Sequence, residues 1–146
     1  MTQVSRFPLP KFLEEQMYKA IRKAFSDLQS EDDVAAFLED LLSPTERIMI
    51  AKRLAIAILL NRGYEQRTVG SIMKTSLTTV NQVNYWLKNK GKGYRIVLEK
   101  LESQKQWKEV KAGLEEFLED FFTVHGQLRA LRGKIPKESV PRNNLL

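Results

Sequence analysis

The chain contains no cysteine and a single histidine, His125. Disulfides, zinc–thiolate sites and thiol chemistry are therefore excluded, and any metal site would have to be built from carboxylates. Proline is scarce between the two ends, where only Pro44 occurs, and that favours long helices over a loop-rich β fold. No segment alternates apolar and polar residues with a period of two, so strands are not expected. The longest apolar run, "AIAILL" at 55–60, is far too short to span a membrane. The first residues, "MTQVSRFPLPKF", lack the apolar centre of a signal peptide. The expectation is a cytoplasmic protein with no membrane contact.

What is present is helical patterning and segregated charge. The 146 residues suit one domain with an appended element, and 42% hydrophobic content is enough for a core. Residues 43–95 hold ten Lys/Arg against two acids, a net of +8, and the rest of the chain holds fourteen against sixteen. All the excess positive charge thus lies in the central third. Such segregation is the electrostatic footprint of a polyanion binder, and a solvated charged face is the bland alternative.

Apolar residues from Phe12 to Leu28 recur at three- and four-residue steps and predict an amphipathic helix over about 11–29. "SEDD" at 30–33 reads as a second helix start, with Ser30 as cap and acids against the positive helix end. "SPTE" at 43–46 repeats that logic, with Ser43 as cap, Pro44 in the first turn and Glu46 three residues on. The third helix should run to about Arg62, where Gly63 ends it. Its sequence "RIMIAKRLAIAILL" is apolar on most faces, so it should be the most buried helix. Two short helices follow, about 65–74 and 77–89, separated only by Thr75 and Ser76. "NKGKG" at 89–93 breaks the pattern. A further helix is expected from near Tyr94 to about Arg132, with Gln104 and Gly113 as candidate interruptions. The organisation expected is a tail at 1–10, a helical domain at 11–103, a helical extension at 104–134 and a disordered tail at 135–146.

Two short helices with a tight turn define a helix-turn-helix, here about 65–89. The first must cross the second closely, which asks for a small residue, and Gly70 supplies it. Val69 and Met73 should face Leu77, Val80 and Val83, with Trp86 or Leu87 continuing the inner stripe. Trp86 is expected in the core rather than stacked on bases. The outward residues of the second helix are then Thr78, Thr79, Asn81, Gln82 and Tyr85. Asn and Gln can pair with an adenine edge, and Thr methyls can touch a thymine methyl. Ser76 caps the helix end that points backbone N–H groups at a phosphate. Arg67, Lys74, Lys88, Lys90, Lys92 and Arg95 flank this face, so charges would position and neutral polar groups would read. Lys74 stands in the turn, where glycine is usual, and a residue near it must take a less comfortable backbone conformation.

The run "FLEDLLSPTERIMIAKRLAIAILLNRGYEQRTVGSIMKTSLTTVNQVNYWLKN" resembles the Trp-repressor superfamily. The likeness rests on "SPTER", the long apolar helix with Arg53, "LLNRG", a Gln opening the first motif helix and "TSLTTV" entering the second. "EDDVAAFLEDLL" and "NKGKGY" make it more similar to the small Trp-repressor-like proteins of the YerC/YecD type than to the amino-acid-sensing repressor. The resemblance covers roughly residues 30–100. It implies an all-α, multi-helix dimer with intertwined N-terminal helices and two helix-turn-helix heads, to which this chain adds a C-terminal amphipathic helix. It carries DNA contacts onto Lys74, Thr78, Thr79 and Asn81, with Gln66 and Arg67 near the backbone. Of the family's corepressor pocket it carries over Ser43, Arg53 and Thr79. Gln82, however, stands where a second pocket arginine grips the ligand. Val83 stands where a glycine leaves room for the indole ring. The expectation is a regulator of double-stranded DNA acting as a homodimer without a tryptophan corepressor.

Arg53 also reads as a structural arginine paired with Asp40 or Glu46. His125 reads as a surface or packing residue, and Glu115, Glu116, Glu119 and Asp120 as the wet face of a helix rather than a metal site. "GKG" at 91–93 lacks the strand and the full pattern of a phosphate loop. No nucleophile–base pair or metal constellation points to an enzyme or to a cofactor. The aromatic stripe of 104–134 (Trp107, Phe117, Phe121, Phe122) is too apolar to face water alone. It predicts packing on its own domain, on a sister subunit or on a protein partner. In the last case the chain would be an interaction module with the helix-turn-helix as scaffold.

Overall fold

A computed structural model describes residues 7–104 and 107–131, without the side chains of 107 and 125–131. The expected roles of His125 and of the tail 135–146 fall outside these. Seven helices are found among the described residues: α1 (Lys11–Asp27), α2 (Glu31–Leu41), α3 (Pro44–Asn61), α4 (Gln66–Met73), α5 (Leu77–Asn89), α6 (Lys92–Ser103) and α7 (Trp107–Leu131). The single long helix expected after Tyr94 is in fact two, broken at Gln104. Gly113 does not interrupt α7. None of the described helices is long and apolar enough to cross a membrane.

The chain divides into two compact units, Met1–Ile48 and Met49–Leu146, with the boundary inside α3. In the first unit, Phe25 of α1 and Phe37 of α2 meet edge to face with centroids 5.3 Å apart. Helix α2 starts as its sequence requires. Ser30 Oγ accepts from the Asp33 N–H, and three acids occupy the first turn. Neither α1 nor α2 buries a single residue within the chain.

The start of α3 is a complete capping box. The Ser43 hydroxyl and the Ser43 N–H both donate to Glu46 Oε2, at 2.7 and 2.9 Å, and Ser43 Oγ receives the Glu46 N–H at 3.4 Å. These two donors hold the Glu46 carboxyl below its ordinary value of 4.5. A carboxyl lowered in the folded state stabilises it above the unfolded value, and that contribution fades as pH falls through the lower, folded value. Ser43→Ala removes the cap and should lower the melting temperature at neutral pH. The gap between Ser43→Ala and the unsubstituted chain, read from melting curves, should narrow as pH drops below 4.5. A pH-independent gap would refute the box as the source.

The expectation of a buried α3 holds only for the later half of the helix, which lies in the second unit. Ile56, Ala57, Ile58, Leu59 and Leu60 are buried, whereas Ile48, Met49 and Ile50 nearer the start are exposed. The core joins the buried half of α3 to Val69 and Ile72 of α4, Val80 and Val83 of α5, and Leu118 of α7. α7 is thus self-packed. Tyr64 stacks on Phe122 at 6.1 Å and 10°, and Arg62 reaches Glu115 at 3.5 Å. Glu115 is therefore ion-paired as well as part of an acidic face.

Helices α3 and α4 end alike. Tyr64 N–H reaches back to the Leu59 carbonyl, and Gly63 N–H to Leu60; Thr75 N–H reaches Gly70, and Lys74 N–H Ser71. This geometry needs a left-handed residue at the close. Gly63 provides it at φ 89°, but in α4 the position is held by Lys74, at φ 48°. A side chain there costs about 1–2 kcal/mol, partly offset by the lower entropy loss of a non-glycine residue. Lys74→Gly should raise stability by about 0.5–1 kcal/mol, and an unchanged or lower melting temperature would contradict that reading.

Candidate nucleic-acid interface

The two helices of the motif are joined by Lys74, Thr75 and Ser76 alone. Beneath them the facing residues are Val69, Ile72, Val80 and Val83, all buried, with Met73 and Leu87 half-buried at the edges. Ile72 is a core member that the sequence reading passed over in favour of Met73. Two residues expected on this seam lie outside it. Leu77 is 43% exposed and Trp86 44%. The reason is angular: Val80, Val83 and Leu87 form the three–four row that faces α3 and α4, and Trp86 is rotated off that row. Trp86 instead carries Lys90 Nζ over its ring, 5.4 Å from the centroid.

Gly70 does allow the close crossing, although a Cβ there would meet Thr75 O at 3.4 Å and Val80 Cγ2 at 3.8 Å. Those are ordinary contacts, so alanine would fit there.

With the seam buried, the opposite surface of α5 is polar. Thr78, Asn81, Gln82 and Tyr85 are exposed. Thr79 is half-buried, and its hydroxyl lies 3.0 Å from Ser76 Oγ. Ser76 Oγ also accepts the Thr79 N–H at 3.3 Å, so Ser76 caps α5 as expected. Arg67, Lys74, Lys88, Lys90, Lys92 and Arg95 are all exposed.

One group of these residues is brought together. A groove of about 430 Å³ runs between the start of α4 and one edge of α5, lined among others by Gln66, Arg67, Asn81 and Lys88. Leu77, expected on the seam, lines it too, as does Asn84, which was not singled out from the sequence. The signal was available, because 77, 81, 84 and 88 form one row of a helix. α4 has no side-chain cap at its start, so its first N–H groups lack a side-chain partner at the groove's end, where Glu65 also lines the wall. Lys74, Lys90 and Lys92 do not line the groove.

Of the three residues carried over from a corepressor pocket, Ser43 and Thr79 are hydrogen-bonded elsewhere. The Ser43 hydroxyl is committed to Glu46 and the Thr79 hydroxyl to Ser76. Val83 is 4% exposed and belongs to the core. Arg53 is exposed; Glu46, one of its two expected partners, is hydrogen-bonded by Ser43, and Arg47 pairs with Glu39 at 3.4 Å. Among the described residues no group of three or more His, Asp or Glu could hold a metal ion.

Among curated proteins and among solved structures, none matches the chain. A protein-family model described as Trp repressor protein matches residues 16–102, from within α1 to the last turn of α6, more than half of the chain. That span contains the capping box, the helix-turn-helix and the polar face of α5, and leaves α7 outside. On this match the chain belongs to the Trp repressor protein family.

Proposed function

We propose that this protein is a sequence-specific, DNA-binding transcriptional regulator that acts as a dimer. The observation carrying this reading is the α5 surface. An uncharged hydrogen-bonding face (Thr78, Asn81, Gln82, Tyr85) stands over a buried seam and is flanked by exposed cations. α5 enters the major groove, its polar face reads base edges, and Gln66, Arg67 and Lys88 hold phosphates along the adjoining groove. Lys74, Lys90 and Lys92 hold further phosphates at the two ends of the motif.

The dimer is supported by α1. Phe12, Leu13, Met17, Ile21 and Phe25 form a stripe of which every member is at least 40% exposed. A stripe of that size needs a cover, and a second copy supplies one. Two heads then meet half-sites about 34 Å apart, one turn of the duplex. No tryptophan corepressor is required, since Val83 fills the place of the ring and Gln82 cannot grip a carboxylate as arginine does. "EDDVAAFLEDLL" and "NKGKGY" favour the YerC/YecD type within the family.

Selection from a random duplex pool, repeated at two salt concentrations, tests the reading. A recurrent two-fold motif is expected. Weak binding that enriches no sequence and vanishes with salt would overturn the specific regulator. The second reading, an interaction module, is favoured by one observation: α7 leaves Val110, Phe117 and Val124 about half exposed.

A further inference from the structure

Helix α7 lies beyond the family match at 16–102, and only one side of it is used within its own unit. Leu118 is buried, while Leu114, Phe121 and Phe122 pack against the same core. A second row remains open: Val110, Phe117 and Val124, at 55, 51 and 52% exposure. These residues are one heptad apart, and a heptad drifts only about 20° around a straight helix. They therefore make one continuous apolar strip along the helix. On the side away from the core, the next positions around the helix include Glu109, Glu116 and Asp120, all exposed. The strip thus has an acidic border.

The same unit carries a complementary strip on α6. Lys92, Ile96 and Lys100 follow at four-residue steps, with Val97 beside them. Ile96 and Val97 are 45 and 43% exposed, and the row points away from buried Leu98. On α6, Ile96 is flanked along its row by Lys92 and Lys100, with Glu99 on one border, and these two cations complement the acidic border of the α7 strip.

We propose that the α7 strip is an interface for a second copy of this chain, occupied by that copy's α6. A two-fold axis makes the contact twice, α7 on α6 and α6 on α7. The inference rests on the dimer proposed above and extends it to a segment that the family match does not cover. Charge selects this pairing over α7 against α7, which would bring two acidic borders together.

The absence of cysteine makes the test direct. Full-length chains with Ile96→Cys or Phe117→Cys, differently tagged, are mixed and mildly oxidised. The 96–117 inter-chain disulfide should dominate over 96–96, over 117–117 and over a link from the off-strip control Thr123→Cys. Separately, Glu116→Lys with Asp120→Lys should weaken the dimer roughly tenfold, as expected for several surface pairs reversed across a two-fold. Lys100→Glu should restore it, with helix content constant throughout. A dominant 117–117 link, or a dimer indifferent to the charge reversals and without the 96–117 link, overturns this interface while leaving the dimer standing. A chain that sediments as a monomer at every concentration overturns both. Capture of a foreign protein by the strip in a chain whose dimer is unaffected also counts against it.

Discussion

Replacing Lys88, Lys90 and Lys92 together by glutamate is expected to abolish duplex binding without changing helix content. All three are exposed, and among the described residues none is paired with a carboxylate, so their charge is available to a polyanion. Lys88 shares the groove with Arg67, Gln66 and Asn81, and Lys90 is held over Trp86, which restrains it beside the end of α5. Each phosphate no longer neutralised should reduce the salt slope of log K by about 0.9, and because a dimer loses six such lysines the affinity at low salt should fall by several orders of magnitude. Reversal adds repulsion to that deficit. The measurement is duplex affinity across a salt series, at chain concentrations where both forms are dimers. Binding that survives the triple reversal at near-original affinity sinks the DNA interface and favours the interaction module, whose partner would be indifferent to these lysines. Asn81→Ala offers the contrast. It should relax preference at one base pair by about 1–3 kcal/mol while leaving the salt slope intact, because an amide reads and a lysine positions.

The second large effect is expected at Gly91. A Cβ built there would lie 2.8 Å from Leu87 Cα and 2.9 Å from the carbonyl oxygens of Leu87 and Trp86. All three are backbone atoms of the last turn of α5, so no rotamer change relieves them. Gly91 has a negative φ of −62°, so the demand there is not for a left-handed backbone but for space, since α6 begins against the end of α5. Gly91→Ala must push the two helices apart. Overpacking of this kind costs about 1–3 kcal/mol, which for a chain of this size lowers the melting temperature by several degrees. Gly93 has nothing within 4 Å of its Cβ position, so Gly93→Ala should be neutral or slightly stabilising in a helix. Equal melting temperatures for the two variants would show that α5 and α6 do not approach as described. Gly91→Ala should also disturb DNA affinity, because Lys90 and Lys92 sit on either side of the displaced joint.

Much of this protein is written locally. Ser30, Ser43 and Ser76 announce helix starts through bonds that span three residues, and all three caps form. Gly63 announces the end of α3 for the same reason. The turn after α4 is legible as strained because Lys74 stands where glycine is usual, and its positive φ follows. Charge segregation is likewise a property of the chain, since the cations stay on a surface whatever the fold.

Other features depend on what lies across a gap. Trp86 and Leu87 are apolar neighbours about 100° apart on one helix, and only the position of α3 and α4 decides that Leu87 packs and Trp86 does not. The long apolar pattern of α3 looks uniform, yet half of it is buried in its own unit and half is left exposed. "GKG" gives no hint that one glycine is essential for packing and the other free. The residues of the 77, 81, 84, 88 row became a groove wall only because the start of α4 lies opposite. Helix placement, caps and turn chemistry were thus determined by the sequence alone, because hydrogen bonds across three to five residues need no distant partner. The tertiary structure decided which apolar residues are covered, which glycine has room and which polar residues share a groove, because burial and steric contact are relations between segments that the linear order does not contain.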